Sequence, residues 1–151
     1  VALLASARNL LIDRAGGSGV RSSSLYASRP VDCTPGTPEF LNAVVVLGSA
    51  LSPIEMLDVC QGIEVELGRP AEHGFHTPRT VDLDLLFAGD RVTREERLEL
   101  PHPRAAGRAF VLLPLAELVP ELPWPGDGRT VAELLGALDV EDGAARAVGG
   151  W

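Results

Sequence analysis

Asp82 and Asp84 stand one residue apart in "PRTVDLDLLF", an otherwise apolar, β-prone run from Pro78 to Phe87, with Arg79 just ahead of them. In an extended strand alternate side chains share a face, so both carboxylates project from one side, roughly 7 Å apart along the backbone. Val81, Leu83 and Leu85 then take the opposite face, against helices. Two carboxylates side by side repel, and burying them uncompensated is costly. A cation relieves this. Oxygen ligands at that spacing suit Mg²⁺, which takes one or two carboxylates and completes its octahedron with water and phosphate oxygens. A pair sharing two ions about 4 Å apart fits a clamp for phosphoryl transfer. The same pattern also arises where both aspartates simply meet solvent from a half-exposed sheet.

The arginines favour the metal reading. The chain has no lysine, so its 13 basic side chains are all arginine. Arg69 and Arg79 lie upstream of the pair, and Arg97, His102, Arg104 and Arg108 cluster downstream. Arginine makes bidentate phosphate contacts and stays charged at any physiological pH. Singly each is an ordinary surface residue; gathered around an acidic strand they suggest a metal-bound polyphosphate. His102, in "LPHPR", reads as a general base, a phosphate ligand or a structural histidine packed by two prolines. Asn42 sits inside the apolar run "FLNAVVV", where a buried amide needs partners for its donors and acceptor. Either a neighbouring loop supplies them, or Asn42 offers a recognition edge to a heterocycle.

Bulk properties set the frame. At 151 residues, 46% hydrophobic and 23% charged, this is one globular domain with room for a core. The net charge of −8 disfavours a nucleic-acid partner, although local arginines and a divalent cation still permit a nucleotide substrate. No apolar run approaches the roughly 20 residues that span a bilayer. Cys33 and Cys60 fall in no metal-ligand spacing and are expected as free thiols in a reducing cytoplasm, with a disulfide between them as the alternative.

Helical periodicity opens the chain, with Leu3, Leu4, Ala7, Leu10 and Leu11 on one face and Gly16-Gly17 as the stop. Strands are expected over 20–28 and 40–48, separated by the loop "RPVDCTPGTP". Ser52, Pro53 and Glu55 spell a capped helix start, and Met56, Val59, Cys60, Ile63 and Leu67 form its apolar face up to Gly68. The loop "RPAEHGFHTPR" leads to the strand "TVDLDLLFA", which turns at Gly89-Asp90. A short strand or loop then gives way to a helix interrupted near Pro114, and Thr130 starts a last capped helix. The order α-β-β-α-β needs one more strand in front to complete the split-βαβ, ferredoxin-like plan.

The elements "FLNAVVVL", "PRTVDLDLLF", "LPHPR" and "GRAFVLLPLAEL", in this order and with these gaps, resemble the 6-hydroxymethyl-7,8-dihydropterin pyrophosphokinases of folate biosynthesis. The resemblance runs from about Ser22 to about Leu135. It implies an α+β, ferredoxin-like α/β sandwich. It also implies transfer of the pyrophosphoryl group of MgATP to the pterin hydroxymethyl, releasing AMP. By position, Asp82 and Asp84 match the ligands of two Mg²⁺ ions. Arg69, Arg79 and Arg108 match catalytic arginines on the triphosphate, and Gln61, Glu64, Arg97 and His102 match the nucleotide side. Asn42, Phe110, Phe40, Ser28 and Val31 match the pterin pocket, with Phe110 as a stacking face. The partners implied are small molecules, with neither nucleic acid nor membrane, and a monomer is expected.

Departures from the family pattern are specific. The family's opening strand and Gly-Ser-Asn loop have no counterpart here, and the "LGS" from Leu47 to Ser49 is in the wrong context to replace them. Phe75 or His76 replaces the usual aromatic before the P-R-T element, the loop arginine is absent, and Ala71 stands where a basic residue is expected. The chain is expected to be an incomplete part of a longer protein, with a natural truncation as the alternative. A second reading is therefore a catalytically weak relative acting as a binding or partner module; a third is another Mg²⁺-nucleotide transferase.

Overall fold

Glycine ends the first helix as its sequence predicts. In the computed structural model, which describes residues 2–28, 39–68, 81–138 and 145–151, α1 (Ala2–Ala15) stops where Gly16 turns to φ 61°. The Gly17 N–H then donates back to the Ile12 carbonyl at 2.9 Å, a closure that requires the left-handed residue before it. Leu3, Leu4, Leu10 and Leu11 pack around buried Ala7 against α2 (Pro53–Gly68), where Ile63 is fully buried. Ser52 and Glu55 form the expected reciprocal cap: the Glu55 N–H donates to Ser52 Oγ at 3.2 Å, and the Ser52 N–H donates to Glu55 Oε1 at 2.9 Å.

Each of the two expected long strands is broken in the middle. Residues 18–28 give β1 (Ser18–Ser22) and β2 (Leu25–Ser28); residues 40–48 give β3 (Phe40–Asn42) and β4 (Val45–Gly48). The break has a local cause in the serine run. Ser23 Oγ accepts the Val44 N–H at 2.9 Å and donates to the Ser24 carbonyl at 2.7 Å, so a side chain takes over a ladder position. β1 pairs antiparallel with β4, while β2 lies between β3 and β7 (Ala145–Gly149), again antiparallel. A short hairpin of two-residue strands, β5 (Thr93–Arg94) with β6 (Glu99–Leu100), precedes the "PHPR" turn. The arrangement mixes helices with antiparallel sheets: an α+β fold.

Two expectations need correction. The run over 81–88 forms no strand: among the described residues it joins no ladder, although its burial alternates along 81–85 as a strand's would. Nor does Pro114 interrupt its helix: α3 (Ala109–Leu118) runs through it. Burial explains the second point, since Leu112, Leu115 and Leu118 bury their side chains in one core cluster with Trp124 and with Val131 and Leu134 of α4 (Val131–Ala137), and tertiary packing overrides the propensity of one residue. β7 carries no strong strand signature, and sequence reasoning missed it.

Thr130 caps α4 with the same reciprocal pair, to Glu133. Thr130→Ala is expected to lower stability by about 1 kcal/mol, because the first turn of a seven-residue helix loses the side-chain acceptor of its Glu133 N–H. Denaturant titration checks it: the midpoint should fall while the slope stays unchanged.

At the surface, Glu117 of α3 accepts the Tyr26 hydroxyl at 2.9 Å and the Ser24 N–H at 3.0 and 3.1 Å. Burial, then the hydrogen bond and charge of Glu117, push the Tyr26 phenol from 10 up to about 12. The unfolded chain therefore releases this proton at lower pH than the folded one, so stability is expected to decline as pH rises from 10 to 12. Tyr26→Phe should flatten that part of the stability–pH curve, as measured by urea unfolding at successive pH values.

Candidate active site

Alternation along 81–85 places the aspartates as their spacing predicts. Val81 is buried and Leu83 packs with it against Ala7 and Ile63, while Asp82 and Asp84 are exposed between them. Neither carboxylate has a hydrogen-bond or ion-pair partner among the described residues. Downstream, Leu86 and Phe87 turn into the α3–α4 core, with Phe87 meeting Trp124 edge-to-face at 6.3 Å. The apolar residues thus anchor both ends of a segment whose acidic side is left open.

Without a neighbouring strand, other groups hold the segment's backbone. Glu64 of α2 accepts the Leu83 N–H on Oε2 at 2.8 Å, midway between the two aspartates. The His102 N–H donates to the Leu86 carbonyl at 2.7 Å. Glu64 and His102, both matched to the nucleotide side, therefore act here on the backbone that carries Asp82 and Asp84. His102 Nδ1 also accepts the Arg104 N–H at 3.3 Å, a local turn contact.

Several other expected site residues meet in pairs. Asn42 Nδ2 donates to Ser28 Oγ at 2.8 Å, joining two residues matched to the pterin pocket. Arg97 reaches Gln61 at 3.2 Å and Asp58 at 2.6 Å, so Asp58, which the sequence did not single out, positions that guanidinium. The Arg108 guanidinium lies over the Phe110 ring, 5.4 Å from its centroid. Phe40, in contrast, is 60% exposed and stands apart from the cleft. Arg69, Arg79 and Val31 lie outside the described residues, as do Cys33, Ala71, Phe75 and His76.

A cleft of about 620 Å³ unites part of this set: Asn42, Asp82, Asp84 and Phe110 all line it. Its walls are β4 and residues 82–88, and α1 and α2 cover it. Cys60 also lines it, a buried free thiol pushed up to about 11 by burial and then by the charges of Glu64 and Asp84. Arg8 and Trp151 form a further wall, with the guanidinium 4.3 Å from the indole ring centre. Nothing local in the sequence signals that contact.

The donor set fits a hard, oxygen-seeking cation bound chiefly through a ligand. Two free carboxylates suffice for an ion that keeps phosphate and water oxygens, and no group of three or more His, Cys, Asp or Glu side chains able to hold a metal occurs among the described residues. A dedicated protein cage, such as a structural zinc site, is not what these residues build.

Comparison with known proteins decides the family. Residues 1–120 match the sequence model of 7,8-dihydro-6-hydroxymethylpterin-pyrophosphokinase (HPPK). The chain belongs to the HPPK family. Every described site residue of this HPPK chain falls inside the matched span. Among curated relatives, it is 42% identical over 119 residues to the 2-amino-4-hydroxy-6-hydroxymethyldihydropteridine pyrophosphokinase of Synechocystis, covering 79% of this chain and 60% of that protein. The Pseudomonas aeruginosa protein of the same name is 43% identical over 122 residues, 81% of this chain and 74% of its own length. A folate synthesis bifunctional protein of Arabidopsis thaliana is 41% identical over 104 residues, 69% of this chain and 21% of that one.

Proposed function

We propose that this HPPK chain transfers the pyrophosphoryl group of MgATP to 6-hydroxymethyl-7,8-dihydropterin, giving AMP and the pterin diphosphate. One observation carries the proposal: in a member of this family, two exposed carboxylates, unpaired among the described residues, share one side of a segment that lines a cleft with Asn42 and Phe110. In the reaction the hydroxymethyl oxygen bonds to the β-phosphorus as the bond from that phosphorus to the bridging oxygen breaks. AMP departs with the bridging electron pair, and the hydroxyl proton is lost to solvent.

The protein's task is positioning and electrostatics, with no covalent intermediate. Asp82 and Asp84 would hold two Mg²⁺ ions, whose charge offsets that of the phosphate oxygens. Asn42, oriented by Ser28, offers its amide to the pterin edge, and Phe110 offers a ring face. Arg108, stacked on Phe110, is assigned to the triphosphate. Gln61 and Arg97 form the nucleotide side, with Glu64 and His102 bracing the aspartate segment. Arg69 and Arg79 are assigned to the triphosphate, and Val31 and Phe40 to the pterin pocket, by their place in the family pattern alone. A monomeric, cytoplasmic protein with no nucleic-acid partner completes the proposal; the net charge of −8 supports the last point. Among the described residues no helix is long and apolar enough to cross a membrane.

A second reading has its own observation. Among the described residues the aspartates ride on a segment with no strand partner, which favours a relative that binds substrates but turns them over weakly. AMP release from ATP, assayed with and without hydroxymethyl-dihydropterin, separates the readings. Pterin-dependent AMP supports the pyrophosphokinase. Pterin binding without AMP supports the weak relative, and ATP consumption indifferent to pterin points to another transferase.

A further inference from the structure

We propose that Trp151 is a positioning residue for Asn42: its indole N–H locks a one-residue β-bulge that aims the Asn42 side chain at the cleft. The strand register shows the bulge. Ser22 faces Val45 in the β1–β4 pair, and Tyr26 faces Asn42 in the β2–β3 pair. Ser23, Ser24 and Leu25 therefore oppose Ala43 and Val44 alone, so the 18–28 run carries one extra residue. The Ser23 N–H donates to the Val44 carbonyl at 2.9 Å. In a regular antiparallel pair the Val44 N–H would return to the Ser23 carbonyl. Here it goes to Ser23 Oγ, also at 2.9 Å. The Ser23 carbonyl is thereby released from the ladder in a residue only 3% exposed, and a buried carbonyl without a donor is costly. Trp151 Nε1 donates to it at 2.7 Å.

The indole is itself held. Arg8 of α1 lays its guanidinium 4.3 Å from the ring centre and donates through Nη1 to the Trp151 carbonyl at 2.8 Å. Asn42 lies two residues before Val44, and Asn42, Val44, Arg8 and Trp151 all line the cleft. Ser28 holds the Asn42 amide at its tip, through Nδ2 to Oγ at 2.8 Å. The bulge acts on its backbone, because a bulge bends the ladder, sharpens its twist and turns the side chains beside it. Without the indole donor, the Ser23 carbonyl competes with its own hydroxyl for the Val44 N–H, and the junction gains a second arrangement. The lock stands on geometry alone; that Asn42 meets a pterin rests on the pyrophosphokinase reading.

Trp151→Phe tests this in the full 151-residue chain, since it keeps a ring for Arg8 to cover and removes the donor. Hydrogen–deuterium exchange of the amides of 43–45 should speed up at least about threefold. The Kd for 6-hydroxymethyl-7,8-dihydropterin, measured by calorimetry with a non-hydrolysable ATP analogue present, should rise about 5–10-fold, while the Kd for the analogue stays within about twofold. Ser23→Ala removes the hydroxyl that opens the bulge and should weaken pterin binding likewise. Adding Trp151→Phe to it should change nothing further, because both act on one junction. A tryptophan that merely supports the fold predicts a lower urea midpoint with both Kd values unchanged or raised together. Either of those results, or additive effects in the double variant, overturns the positioning role. Faster exchange with unchanged pterin affinity overturns the link to Asn42 while upholding the lock, and unchanged exchange overturns the lock. An unsubstituted chain that binds no pterin sinks the pyrophosphokinase reading and the link to Asn42 with it, and exchange then decides the lock by itself.

Discussion

Asp82→Asn and Asp84→Asn should each lower kcat for pterin-dependent AMP formation by about 10³-fold while leaving the fold intact. Asparagine keeps the size and one acceptor oxygen but removes the charge, and a preorganised electrostatic group of this kind is worth about 10²–10³ in kcat. Both side chains are exposed and make no hydrogen bond or ion pair among the described residues, so neither substitution should cost appreciable stability. The double variant should lose little more than either single one, since the two act as a unit. Steady-state rates alongside urea unfolding check all three statements. Full activity in either single variant would remove that aspartate from the metal site.

Glu64→Leu should reduce kcat by about 10–100-fold, the scale seen when a group that orients a metal ligand is lost. The Leu83 N–H would lose its acceptor, and the segment between the aspartates would lose its tie to α2. Glu64→Gln, which keeps an acceptor oxygen within reach of that N–H, should recover most of the loss. A direct role for the Glu64 charge on the nucleotide predicts the opposite order, with Gln as damaging as Leu and the defect concentrated in KM for ATP. The pair of variants thus separates a bracing residue from a binding one.

The sequence made local features legible and left the distant ones hidden. Capping at Ser52–Glu55 and Thr130–Glu133, the stop at Gly16 and the turn at Gly89 depend on residues within five positions, so short-range chemistry announces them. The shared side of Asp82 and Asp84 follows from the period of an extended chain and survives although the ladder does not form. Pairing, by contrast, depends on a partner that no local pattern specifies. The break at Ser23 and the bridge from Tyr26 to Glu117, 91 residues on, were invisible for the same reason. Pro114 misled because burial of the α3 face outweighs a single residue's propensity. Within the candidate site, Asn42, Ser28, Phe110 and the aspartates were all identifiable beforehand. The tie of Glu64 to Leu83 and the placing of Asp58 on Arg97 needed coordinates.

Counting bound Mn²⁺ by electron paramagnetic resonance, with a non-hydrolysable ATP analogue at saturation, tests the carboxylate pair most directly. The account predicts two ions bound per chain, with at least one lost in the Asp82→Asn/Asp84→Asn double variant. Unchanged stoichiometry and affinity in that variant would contradict it.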